Sequence, residues 1–243
     1  MIVGVYDSGL GGVDILDKLI NKYPNHTYIY VCDNKYCPYG IKTNEELQHR
    51  IDKVMNFFSH QKVDIVVIAC NTISNLIYKN KEKYEIPIYT ILESNIDLIK
   101  NKGIHNICVI GTSNLIRSEV FSKELDCDIQ YLNGSLLVKL IEENNLNEIE
   151  KEIRILMKYV HKDRDAVLLS CTHFPLYKNI FMSRDYNKII LDGSKDLVYS
   201  LPLTKNNSIQ SIHIFLTKND ISYAKIINNI LKDYRILIHN ISL

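Results

Sequence analysis

The amino-acid sequence predicts an α/β fold with mainly parallel sheets, built from two related halves. Three observations predict it. Apolar, β-branched strands alternate with amphipathic helices along the chain, the pattern of β-α-β units. Residues 63–72 (VDIVVIACNT) and 164–173 (RDAVLLSCTH) share one layout: an aspartate, an apolar run, then a cysteine six residues after the aspartate. Residues 108–113 (CVIGTS) echo residues 3–8 (VGVYDS) at an offset of 105, close to the 101 that separates Cys70 from Cys171. The chain therefore reads as an internal duplication in which each half delivers a thiol at the carboxyl end of a strand.

Each element follows in order. Residues 1–6 (MIVGVY) read as a buried strand. The glycine-rich turn DSGLGG (7–12) comes next, in the position of a phosphate or carboxylate cradle, without full Rossmann or P-loop spacing. A helix follows with Val13, Leu16, Leu19, Ile20 and Tyr23 on one face, closed by Pro24. Residues 27–32 form a strand and 33–40 (DNKYCPYG) a loop. Thr43 and Glu46 match a capping box, and Leu47, Ile51, Val54 and Phe58 give the next helix its core stripe. The strand 63–69 ends at Cys70, after which Asn71 and Thr72 are expected to cap a helix carrying Ile73, Leu76 and Ile77. A strand at 86–91, a helix started by Ser94 and Asn95 and stopped by Gly103, and a strand at 106–110 complete the first pass. Two helices fill 135–161, with Leu136, Leu140, Ile141, Ile149, Ile153 and Leu156 facing inward. The strand 165–170 ends at Cys171, and Pro175 suits the first turn of the helix after it. A strand at 188–191, a helix at 193–201, a strand at 209–215 and a helix at 218–231 close the chain.

The bulk properties narrow the function. Net charge is +1 and the basic residues are scattered, which excludes a nucleic-acid stripe and a basic membrane-binding face. No apolar run is long enough to span a bilayer, and no charged leader precedes an apolar core, so a cytoplasmic location is expected. The six cysteines include no C-x-x-C pair, which argues against zinc, an iron–sulfur cluster or a disulfide framework. Cys32, Cys108 and Cys127 read as small buried hydrophobes.

Ligands in such folds sit beyond the carboxyl ends of the strands, where Asp7, Cys70, Thr112 and Cys171 all fall. A thiol on each side of a substrate suits inversion at a carbon centre. One thiolate removes a proton from one face, and the other thiol returns a proton to the opposite face. Asp7 and His173 are titratable groups able to help move the proton. Ser8, Asn71, Thr72 and Thr172 at helix starts are suited to holding carboxylates. The implied substrate is a small anionic acid with an acidic C–H. The plainer alternatives are structural cysteines at strand ends, a Tyr39 that packs a turn, and a Glu142 that faces solvent from its helix.

Together DSGLGG (7–12), Pro38-Tyr39-Gly40, Ala69-Cys70-Asn71-Thr72 and CTHFPL (171–176) resemble the glutamate racemases, the cofactor-independent branch of the aspartate/glutamate racemase superfamily. The resemblance runs from residue 3 to about 193, and FLTKND (215–220) is similar to the family's final strand. It implies an α/β fold of two similar domains with mainly parallel sheets, pseudo-twofold related, with the active site in the cleft between them: a first domain of residues 1–93 plus 205–243, with the last strand and helix returning to it, and a second of residues 94–204. It implies racemisation of glutamate at Cα without cofactor or metal, the D-glutamate feeding peptidoglycan synthesis. Cys70 would then serve the D-enantiomer with Asp7, and Cys171 the L-enantiomer with His173 and Glu142. Ser8, Pro38, Tyr39, Gly40, Asn71, Thr72, Thr112 and Thr172, together with Asp7 and His173, match substrate-contacting positions. The expected partner is a small molecule, with a homodimer open. The sequence departs from the family pattern at Ser94-Asn95, Leu115, Ser135 and Ser170, which keeps aspartate, or both acids, open as substrate. A decarboxylase or cis–trans isomerase acting on another diacid, and a non-catalytic protein that binds a small anion on the same scaffold, are the competing expectations.

Overall fold

The structure, a computed structural model, describes residues 1–204 and 211–243. Its strands and helices alternate: β1 (Ile2–Asp7), α1 (Gly12–Lys22), β2 (Thr27–Cys32), α2 (Asn44–His60), β3 (Ile65–Ile68), α3 (Asn71–Ile77), β4 (Ile88–Thr90) and α4 (Ile91–Lys102). After these come β5 (Asn106–Gly111), α5 (Ser113–Ser118), α6 (Val120–Glu124), β6 (Asp128–Asn133), α7 (Ser135–Glu142), α8 (Leu146–Tyr159), β7 (Ala166–Ser170), α9 (Lys178–Arg184), β8 (Ile189–Leu191) and α10 (Ser194–Ser200). The chain closes with β9 (Ser211–Leu216), α11 (Ile221–Ile230) and β10 (Ile236–Asn240).

The strands form two sheets, ordered β10-β9-β2-β1-β3-β4 and β6-β5-β7-β8, and every pairing is parallel. The order β2-β1-β3-β4 repeats as β6-β5-β7-β8, so the duplication seen in sequence is a duplication of topology. β1 matches β5, and β3, which leads to Cys70, matches β7, which leads to Cys171. The two-domain α/β expectation is met.

Parallel sheets need cover on both faces, and two apolar clusters serve each sheet. In the first, Leu16, Leu19 and Ile20 of α1 pack on one face, and Leu47, Ile51, Val54 and Phe58 of α2 on the other. In the second, Ile149 and Ile153 of α8 oppose Ile96, Ile99 and Phe121 across the strands. Leu197 and Val198 of α10 join the first sheet's core.

Several local expectations change. Asn71 and Thr72 do not cap α3. Cys70 occupies the N-cap position without a side-chain bond, and both polar side chains turn toward the other half. α4 starts earlier than Ser94, because Thr90 caps it by accepting from the Glu93 N–H. Leu136 is 53% exposed rather than inward. The strands β6 and β10 carried no clear sequence signal. Both are edge strands with half-exposed side chains, where packing leaves a weak pattern. The start of the strand expected at 209–215, and the domain boundary expected at 205, lie outside the described residues.

Candidate active site

The carboxyl ends of the two sheets meet, and hydrogen bonds between the halves close the space between them. Thr172 donates its hydroxyl to Asp7 Oδ2 at 3.0 Å, and the Thr72 and Thr112 hydroxyls lie 3.0 Å apart. Asn71 Oδ1 accepts from Ser170 Oγ at 3.1 Å and from Asn95 Nδ2 at 3.0 Å. The acceptor end of Asn71 is therefore engaged, and its Nδ2 donor is what remains to offer a ligand. Ser170 and Asn95, two of the positions where the sequence departs from the glutamate racemase pattern it resembles, make these bonds.

The glycine-rich turn after β1 is a contact surface for the second half. A side chain on Gly11 would strike Thr172 and the His173 backbone, and one on Gly9 would strike the Glu142 carboxylate. Gly11 lets the chain after Asp7 run directly against Thr172 and His173, and Gly9 lets it pass close to Glu142.

On the first side, Cys70 is buried, with its Sγ 3.9 Å from Ser8 Oγ. Burial, followed by the charge of Asp7, pushes the Cys70 thiol up to about 12, against the opposing effect of the Ile73 N–H. Asp7 is fully buried and accepts from the Gly9 N–H at 2.9 Å as well as from Thr172. Burial raises its carboxyl to about 6, with the His173 charge opposing. The Cys70 thiol therefore holds its proton more tightly than the Asp7 carboxyl does.

On the second side the groups form a chain. Cys171 Sγ lies 3.6 Å from His173 Nδ1, His173 Nε2 meets Glu142 Oε1, and Glu142 Oε2 accepts from the Tyr223 hydroxyl. The Leu10 N–H also donates to Glu142 Oε1 at 3.2 Å. Burial alone would push the His173 pKa down, but the Glu142 carboxylate and Cys171 outweigh it and hold the imidazolium well above its usual range. The same pairing outweighs burial at Glu142 and holds its carboxyl below the ordinary value. The Glu142 side chain is only 12% exposed, so the solvent-facing alternative does not hold.

Tyr39 is buried, and its hydroxyl is bonded to Tyr6 and Asp33, with Asp33 held by Arg50 at 2.8 and 2.9 Å. Its side chain is thus a core anchor for the loop bearing Pro38 and Gly40, and Gly40 itself presses on Thr112. Sequence reasoning missed Cys37, Leu10 and Tyr223. Cys37 stands beside the Pro38-Tyr39-Gly40 motif and Leu10 lies within DSGLGG (7–12), signals within reach; Tyr223 carries none, since its role depends on a contact made across the fold. Among the described residues, Cys37, Glu142 and His173 bring one ligand atom each within 4.8 Å of one another. Zinc takes such donors, yet both His173 nitrogens already serve Cys171 and Glu142, so His173 and Glu142 fit a proton relay better than a metal cage.

Two thiols at equivalent strand ends, each with its own acid–base partner, are the equipment for proton transfer on both faces of one carbon. Residues 8–195 match the model of the Asp/Glu/Hydantoin racemases. The chain belongs to the Asp/Glu/Hydantoin racemase family. It is 31% identical to glutamate racemase 1 of Caldanaerobacter subterraneus subsp. tengcongensis, over 96% of this chain and 94% of that one. Among solved structures, a glutamate racemase isoform from Bacillus anthracis superposes with a TM-score of 0.90 at 22% identity, covering 100% of this chain and 97% of the other, a likeness of fold. A glutamate racemase from Francisella tularensis subsp. tularensis, solved in complex with D-glutamate, gives 0.86 at 25% identity, covering 99% and 97%. Membership of the racemase family makes the chain an isomerase that takes a small-molecule substrate.

Proposed function

We propose that the chain interconverts L- and D-glutamate, without a cofactor, by two-thiol proton transfer at Cα. The observation that carries this is the placement of Cys70 and Cys171 at the ends of β3 and β7, equivalent strands whose ends face one another. Cys171, as thiolate, removes the Cα proton of L-glutamate. The electron pair passes into the α-carboxylate, and the Cys70 thiol delivers its proton to the opposite face, giving D-glutamate, a Cys171 thiol and a Cys70 thiolate. The reverse reaction exchanges the roles.

His173, backed by Glu142, moves the proton on the Cys171 side, and Asp7 does so on the Cys70 side. The substrate ammonium group, brought beside Cys70, stabilises the thiolate that forms there. Ser8, Asn71, Thr72, Thr112 and Thr172, with the backbone of the Pro38–Gly40 loop, bind the two carboxylates. The names of the curated relatives and the D-glutamate complex of the Francisella protein support glutamate as substrate. The product then supplies peptidoglycan synthesis.

The distribution of strands between the two sheets supports a first domain of residues 1–93 plus 205–243 and a second of 94–204, with α10 bridging them. Among the described residues no helix is long and apolar enough to cross a membrane, which accords with a cytoplasmic enzyme. A homodimer is the proposed assembly, to be checked by light scattering.

The deciding experiment follows glutamate and aspartate separately in D2O. Deuterium should enter Cα of glutamate while the circular dichroism of either enantiomer decays to zero. Faster exchange of aspartate would move the assignment to that acid, and exchange of neither would sink it. Cys70→Ser and Cys171→Ser should each abolish racemisation; full activity in either variant refutes the two-thiol mechanism.

A further inference from the structure

The fold engages both oxygens of Glu142 with groups of its own. Oε1 faces His173 and the Leu10 N–H, and Oε2 accepts from Tyr223. Glu142 ends α7, in the second half. Tyr223 stands in the first turn of α11, whose neighbouring strands β9 and β10 extend the first sheet. The Asp220 cap accepts from the Ser222 N–H at 2.9 Å and the Tyr223 N–H at 3.3 Å, so the backbone that carries the ring is itself fixed. Burial, then the Glu142 charge, raises the Tyr223 hydroxyl far above the usual phenol range, so it stays a donor throughout.

We propose that Tyr223 is a positioning residue for the Cys171 side of the reaction: its hydroxyl, supplied by the first half, orients Glu142 so that the Glu142–His173–Cys171 chain is complete only when the two halves are closed. This rests on the two-thiol reading above. The terminal torsion of a glutamate is soft and broad. With Oε2 released the carboxylate is held through Oε1 alone and gains freedom to turn, and Gly9 has no side chain to limit it. Bonds of charged groups are the strong ones, and their geometry sets how firmly a proton is held. The groups facing Glu142 are the His173 cation and the acids Asp7, Cys32, Cys37, Tyr30 and Tyr223. A misplaced Glu142 weakens the hold on the proton shared by His173 and Cys171, and leaves the Cys70–Asp7 side untouched.

Tyr223→Phe tests this. The value of kcat/KM should fall about tenfold, the worth of one bond to a charged group, with the loss in kcat. It falls equally in both directions, because the equilibrium constant of a racemisation is one. Isotope effects separate the two sides. Slower abstraction by Cys171 makes that step more rate-limiting, so the effect of α-deuteration should grow for L-glutamate and shrink for D-glutamate. The basic limb of the pH profile should move to lower pH, while the acid limb set by Asp7 stays. A rate loss with both isotope effects and the basic limb unchanged, or no rate loss, overturns the proposal.

A double variant guards against a merely weakened fold. In the Glu142→Gln background, Tyr223→Phe should cause no further loss; additive losses overturn the proposal. Wild-type protein in the same assay separates the two levels. If it washes no deuterium into Cα, the two-thiol reading itself fails. If it exchanges normally and Tyr223→Phe matches it, only the positioning role fails.

Discussion

Replacing Asp7 with asparagine should make the protein more stable and nearly inactive. Burial raises the Asp7 carboxyl from its ordinary 3.8 to about 6. Below about pH 4 the folded and unfolded chains both hold this proton. As pH rises the unfolded chain releases it first, and the folded chain releases it only near pH 6. Stability is therefore lost between about pH 4 and pH 6, and the deficit above that is roughly 3 kcal/mol. Asparagine is neutral throughout and keeps the local bonds. Its carbonyl still accepts from the Gly9 N–H, and the Thr172 hydroxyl can turn to accept from its amide. In a chain of 243 residues each kcal/mol is worth roughly 2–4 °C, so Asp7→Asn should melt about 6–12 °C higher at pH 7. Near pH 4 the two proteins should melt together. Loss of an acid–base group should lower kcat/KM by roughly 10²–10⁴. Thermal melts followed by circular dichroism from pH 4 to 8, with Cα exchange measured in parallel, check both halves. A variant that melts at or below wild type at pH 7, or a difference that does not change with pH, would refute the assignment of Asp7 as a carboxylate strained by burial.

Three further perturbations probe the remaining supports. Glu142→Gln keeps the shape of the side chain but removes the charge that holds the His173 imidazolium, so kcat/KM should fall about 10–100-fold and the basic limb should shift to lower pH, read from initial rates across pH. Gly9→Ala drives a methyl into the Glu142 carboxylate and toward Cys37, so exchange should drop as in Glu142→Gln, with roughly 1–3 kcal/mol lost in urea titration; wild-type rates would contradict the close approach. Arg50→Ala leaves Asp33 buried and unpaired beneath Tyr39 and should cost about 3–5 kcal/mol, measured as a lower urea midpoint; an unchanged midpoint would show that the pair contributes nothing.

What could be read from the sequence was whatever is local. The capping box at Thr43 and Glu46 fixes the start of α2, and the structure places that helix where the box says. The strand 27–32 and the strand ends at Cys70 and Cys171 follow from apolar runs broken by polar residues. The duplication was visible because two strands with the same function keep similar patterns. The edge strands β6 and β10 were not visible, since half their side chains face water and neighbours supply their hydrogen bonds. The same reason hid part of the site. Asn71 and Thr72 are good capping residues by type, but partners from the other half, Ser170, Asn95 and Thr112, compete for their side chains and win. Glu142 looks like any helix-terminal glutamate until Gly9, Leu10, His173 and Tyr223 are brought to it from three other parts of the chain.

Those contacts give the two thiols unequal support but a common dependence. Cys70, Ser8 and Asp7 all lie in the first half, yet Asp7 is held by Thr172 of the second. Cys171, His173 and Glu142 all lie in the second half, yet Glu142 is held by Leu10 and Tyr223 of the first. Each base is thus completed by a donor from across the cleft. Parting the halves would take the Thr172 hydroxyl from Asp7 and two of its three donors from Glu142, so the acid–base partners of both thiols depend on one shared set of contacts between the halves.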